Sequence, residues 1–138
     1  KWDVSKVINM DSMFLKAKSF NGDLSRWDVS KVTDMARMFD SAALFNSDIS
    51  LWDVSRVTDM NHMFAFASSF NGDISLWDIS RVINMDKIFF HASSYTQSLC
   101  GTWSTSKALI NGMFDYSSGG ICEREPETSI TTSSTGEG

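Results

Sequence analysis

The sequence predicts an α/β solenoid: about five stacked 25-residue coils, each a short parallel strand plus a short helix. Three observations carry that expectation. Tryptophan falls at Trp2, Trp27, Trp52, Trp77 and Trp103, with spacings of 25, 25, 25 and 26. Met10, Met35, Met60 and Met85 form a second column, and Phe14, Phe39, Phe64, Phe89 and Phe114 form a third without a slip. Inside each period the apolar spacing switches from two to three and four. A fixed period of this size marks units too small to bury their own apolar face, which must stack on their neighbours.

Each element follows from the repeat. From Leu24 through Trp27 to Val29 the apolar residues come to alternate with polar ones, which predicts a half-buried strand; Ile49, Trp52, Val54 and Ile74, Trp77, Ile79 repeat it. Val32, Met35, Met38, Phe39 and Ala42 then recur at threes and fours. That spacing predicts a helix of two to three turns, with Ser30 or Thr33 as its N-cap. Phe45 re-enters the core, and Asn46-Ser47-Asp48 turns the chain into the next strand, as do Asn21-Gly22-Asp23 and Asn71-Gly72-Asp73. Strand, helix and turn in 25 residues have the size of a leucine-rich-repeat-like coil, with the parallel strands on one side. The Trp-Asp pairs do not make a propeller, whose blade needs roughly 40 to 45 residues and four strands.

The last unit, at about 95–122, breaks the pattern. Trp103 arrives one residue late while Phe114 is on time, and Tyr95, Ile88 and Ser98 replace the expected Phe, Met and Asp. This is how a capping repeat behaves, so residues 1–122 read as one repeat domain closed at its C-terminal end. Cys100 and Cys122 both lie in this cap. Two buried thiols, a metal site and a disulfide closing the open end are all compatible with that placement; the disulfide is the expectation, and it favours secretion. Residues 123–138 are rich in Glu, Ser, Thr and Gly with almost no apolar residue, which predicts a disordered tail open to O-glycosylation.

Composition narrows the function classes. A net charge of −5 with no basic run argues against nucleic acid, whose binding draws on Lys and Arg at phosphates. No apolar stretch approaches the ~20 residues of a transmembrane helix, and no leader precedes Lys1. Because the chain begins inside a repeat, it reads as a fragment or processed form lacking its N-terminal cap. Catalysis has little support, since His62 and His91 occupy different repeat positions and belong to no nucleophile or metalloprotease motif. No enzyme activity, metal or cofactor is expected.

Trp27-Asp28-Val29-Ser30, Val57-Thr58-Asp59-Met60 and Phe70-Asn71-Gly72-Asp73-Ile74-Ser75 closely resemble the 25-residue repeat of the BspA-like bacterial surface proteins. The same unit is catalogued in mycoplasmas as a domain of unknown function. The resemblance covers residues 1 to about 122. It implies a leucine-rich-repeat-like solenoid on secreted or surface-anchored proteins, serving adhesion or interaction, with no active site.

Period two places the candidate binding residues. If Trp27 and Val29 point inward, then Arg26, Asp28 and Ser30 point outward, as do Leu51, Asp53, Ser55 and Leu76, Asp78, Ser80. Stacked, they make an acidic column from Asp3 to Asp78 and a hydroxyl column from Ser5 to Ser80. A basic column of Lys6, Lys31, Arg56 and Arg81 lies beside them, with Lys107 near its end. Two readings compete: a face that engages a protein or glycan, or acids and bases that only neutralise one another while Ser or Asp caps the next helix. Leu51 and Leu76 favour contact, being apolar where water would otherwise be faced. A further acidic column of Asp23, Asp48 and Asp73 beside Asn21, Asn46 and Asn71 raises calcium, but no loop gathers the six to eight oxygens that calcium takes. The expected function is therefore a secreted or cell-surface interaction module. The alternatives are a docking subunit of a larger assembly and, more remotely, a repeat-built hydrolase. A hydrolase would break the columns in mid-stack, whereas here only the end departs.

Overall fold

Between Met10 and Lys16 every second backbone amide leaves its own unit. In the computed structural model, which describes residues 2–122, Met10, Ser12, Phe14 and Lys16 donate their N–H groups to the carbonyls of Asp34, Ala36, Met38 and Asp40 at 2.8–2.9 Å. The next junction repeats this from Met35, Arg37, Phe39 and Ser41 to Asp59, Asn61, Met63 and Ala65. Two further junctions follow, ending with Met85, Lys87, Phe89 and His91 donating to Leu109, Asn111, Met113 and Asp115. Isolated parallel bridges mark the same seam: Asn9↔Asp34, Asp34↔Asp59, Asp59↔Asn84 and Asn84↔Leu109. Successive 25-residue units thus stack in register.

The intervening amides stay local and close β-turns. Met38 donates to Met35, Asp40 to Arg37, Ala42 to Phe39 and Phe45 to Ala42, each three residues back. A helix would need bonds four residues back. Residues at the third turn position take positive φ, as in a type II turn: Arg37 at 56° and Ser41 at 63°, with His62, Phe66, Lys87 and His91 in the same two columns. The segment expected to be helical is therefore a chain of turns. Its inward spacing is as expected, since Val32, Met35, Met38, Phe39 and Ala42 are all buried.

The expected strand also resolves into turns. Trp27 donates to Leu24 O at 3.1 Å and Val32 to Val29 O at 3.0 Å, while the Ser25 and Ser30 amides go to the carboxylates of Asp23 and Asp28. These Asx-turns take amides that a sheet ladder would need. The predicted α/β solenoid of strand-plus-helix coils is thus corrected. Among the described residues the only α-helix is α1, Thr102–Thr105, and the only strands are β1, Ser98–Leu99, and β2, Gly120–Ile121, a parallel pair in the last unit. The tail expected to be disordered, 123–138, lies outside the described residues.

Aromatic ladders fill the core. Phe14, Phe39, Phe64, Phe89 and Phe114 stack ring on ring at 5.4–5.7 Å between centroids. Phe20, Phe45, Phe70 and Tyr95 form a second ladder, and within a unit the two touch at about 4 Å, as in Phe39–Phe45. Each buried indole also pins its unit to the one before. Trp52 Nε1 donates to Leu24 O, Trp77 Nε1 to Ile49 O and Trp103 Nε1 to Ile74 O, at 3.0–3.1 Å. An asparagine ladder does the same at the turn, where Asn46 N donates to Asn21 Oδ1 and Asn71 N to Asn46 Oδ1.

In the last unit α1 absorbs the extra residue before Trp103, entered through Gly101 at φ 65°. Cys100 and Cys122 form a disulfide with Cα atoms 4.8 Å apart, beside the β1–β2 pair.

Candidate functional site

The outward alternation expected from the sequence is present although no strand produces it. Val29, Trp52, Val54, Trp77 and Ile79 are buried, and Trp27 is half-buried. Between them Arg26, Asp28, Leu51, Asp53, Leu76, Asp78 and Ser80 are exposed, with Ser30 and Ser55 half-buried. All nine predicted residues lie in turns or irregular backbone, held in columns by unit stacking. Leu51 and Leu76 are 87% and 88% exposed and flank a groove of about 320 Å³, completed by Asp48, Ser50 and Asp73.

The acidic columns have a local role. Asp28 Oδ1 accepts from both the amide and the hydroxyl of Ser30, at 3.0 and 2.6 Å, and Asp53 does the same with Ser55. Asp78 accepts the Ser80 amide, and Asp23, Asp48 and Asp73 those of Ser25, Ser50 and Ser75. The serine hydroxyl first and the serine amide second hold each of these carboxyls, and Asp3, below the ordinary carboxylate range. Lys31, Arg56 and Arg81 contribute less to Asp28, Asp53 and Asp78. Turn closure, rather than pairing with the basic column, is therefore what engages the aspartates, and it fixes the direction of each carboxylate along the face.

A second surface row was not singled out in the sequence. The rings of Phe66 and His91 stack at 4.9 Å and those of His91 and Tyr116 at 4.2 Å, with Phe90 edge-on to His91 at 4.6 Å. Lys87 Nζ sits 4.9 Å from the Phe90 ring centre. The signal was the period itself, because residues 66, 91 and 116 share one column. Their types differ, which hid it. His91 is part of this aromatic stack.

The described residues contain no helix long and apolar enough to cross a membrane. Neither curated proteins nor solved structures give a match to the chain. One family model does match, over residues 1–103, and its description is a Mycoplasma protein of unknown function, DUF285. That match takes in the stacked units up to Trp103, and the chain belongs to the DUF285 family.

Proposed function

We propose that the chain is an extracellular or cell-surface interaction module that engages a protein or glycan through the face carrying Arg26, Asp28, Ser30, Leu51, Asp53, Ser55, Leu76, Asp78 and Ser80. The observation that carries this reading is the pair Leu51 and Leu76, almost fully exposed at the rim of an acidic groove. Two leucines in solvent on a face whose polar residues are fixed by their own turns form a small apolar contact set in an oriented polar frame. That is the composition of a binding patch, in which an apolar centre supplies affinity and a polar rim supplies orientation. The disulfide supports the extracellular placement, since such bonds persist outside reducing compartments. The resemblance to BspA-like surface proteins points the same way.

The test replaces Leu51, Leu76 and Asp53 with Lys together, and measures binding to a glycan array and to surface extracts of the native source. Binding should fall at least tenfold while circular dichroism and melting are unchanged, because exposed substitutions shift stability by about 0.5 kcal/mol or less. Arg37→Glu, across the unit, should bind as the parent does. Unaltered binding in the triple variant with loss in Arg37→Glu would move the site to the opposite face.

A further inference from the structure

Leu51 and Leu76 are the two most exposed large apolar side chains among the described residues, and they share a groove of about 320 Å³ with Asp48, Ser50 and Asp73. The charge around that groove is uneven. Asp53 and Asp78, two residues on from the leucines and not part of the groove wall, have Arg56 and Arg81 acting on them. The other acidic row runs Asp23, Asp48, Asp73, and its first member has Arg26. Among the described residues no basic group acts on Asp48 or Asp73, and Asp23 bears on Asp48 as a like charge.

Serine hydrogen bonds hold both groove carboxyls below the ordinary range, and the Ser50 and Ser75 amides tie each Oδ1 in place at 2.9 and 3.0 Å. The groove therefore sets two bare aliphatic side chains beside two anchored anions that the chain leaves uncompensated. That combination selects among partners. A sugar ring stacks its C–H face on an open aromatic ring, and here Trp52 and Trp77, next to the leucines in the chain, are sealed in the core. A leucine pair instead suits an apolar side chain of a protein, and two carboxylates without counter-charges favour a positive group beside it.

We infer, on the reading of this face as the interaction surface, that its partner is a cationic polypeptide segment: an apolar side chain seats between Leu51 and Leu76, and a neighbouring lysine or arginine meets Asp48 or Asp73. Arg26, at the position of Leu51 in the preceding unit, repels a longer cationic run. The segment is therefore confined to the two units that carry the leucines.

The test measures fluorescence anisotropy of two labelled synthetic peptides against the 138-residue chain, one alternating leucine with lysine and the other leucine with glutamate. The lysine peptide should bind and the glutamate peptide should not. Asp48→Asn with Asp73→Asn keeps an oxygen for each serine amide, and should weaken lysine-peptide binding about three- to tenfold, the size expected of two exposed ion pairs. Leu51→Ser with Leu76→Ser should weaken it roughly tenfold. Asp11→Asn with Asp40→Asn makes the same change of charge outside the groove and should bind as the parent does. Raising salt from about 0.1 M to about 1 M shortens the screening length from about 10 Å to about 3 Å, and should weaken the parent more than the Asp48 and Asp73 variant.

Equal binding of the two peptides, absence of lysine-peptide binding, or equal weakening by the two aspartate pairs would each overturn the cationic partner. The lysine variant of Leu51, Leu76 and Asp53 separates that failure from failure of the face. If it loses binding to surface extracts, the face remains the site and its partner is a glycan or an uncharged protein segment. If it retains that binding, the face is not the site and the cationic partner falls with it.

Discussion

At the residue scale, the least expected group is the Tyr95 hydroxyl. Tyr95 occupies a column filled by Phe20, Phe45 and Phe70, it is fully buried, and among the described residues its Oη has no hydrogen-bond partner. Burial first, and the charge of Asp73 second, raise its pKa far above the ordinary phenol value. A buried hydroxyl without a partner costs roughly 1–3 kcal/mol in lost hydration. Tyr95→Phe restores the residue of the other units and should stabilise the chain by about 1 kcal/mol in urea unfolding. A loss of that size instead would show that the hydroxyl is bonded. The departure of Tyr95 from its column was legible in the sequence, but the cost of the departure depended on what surrounds the oxygen.

At the element scale, the turn chain from Met35 to Phe45 holds non-glycine residues at positive φ in two columns. An L-residue there costs roughly 1–2 kcal/mol, so the units hold a strain that the cross-unit bonds and core burial must exceed. The last unit has Gly112 at φ 63° in the column of Arg37, His62 and Lys87, where glycine adopts the conformation without that cost. Arg37 is exposed and its side chain closes nothing in the core. Arg37→Gly should therefore stabilise the chain by about 0.5–1 kcal/mol, the strain relieved less the ~0.5–1 kcal/mol of extra unfolded-chain entropy that glycine brings. Arg37→Ala keeps the strain and should show no gain. Thermal melting of the two variants side by side checks the sign, and equal melting temperatures would remove the strain argument.

At the scale of the whole molecule, the aspartate columns make stability depend on acid. Asp3, Asp23, Asp28, Asp48, Asp53, Asp73 and Asp78 all have folded-state pKa values below the ordinary 3.8. A depressed carboxylate stabilises the fold above its unfolded pKa, and the contribution disappears as pH falls through the folded value. The melting temperature should therefore be level from neutral pH to about 5 and drop below about 4. Replacing Asp28, Asp53 and Asp78 together by Asn keeps an oxygen for each serine amide but removes three titrating groups. That variant should show a shallower acid drop than the parent, and an identical pH profile would mean that the Asx-turns do not carry the acid sensitivity.

The sequence by itself determined the period, the number of units and which side chains face inward. Trp52, Phe39 and Met60 are sealed in the core as their columns required, Leu51 and Leu76 stand in solvent, and the cysteine pair is bonded. Repetition makes such facts legible, because a position that recurs every 25 residues meets its own copies and must suit them. What only the tertiary structure decided was the path of the backbone. A spacing of threes and fours puts Val32, Met35, Met38, Phe39 and Ala42 on one side, whether the chain is a helix or a run of turns, and period two from Trp27 to Val29 does not require a strand. The choice lay with the amides. The carbonyls of the next unit, 24 positions along, take every second N–H of the Met35 segment, leaving only turn bonds for the rest, while Asp23 and Asp28 draw off the amides of Ser25 and Ser30. Side-chain periodicity reports burial. The partner of each amide is set by a neighbour that exists only once the units have stacked.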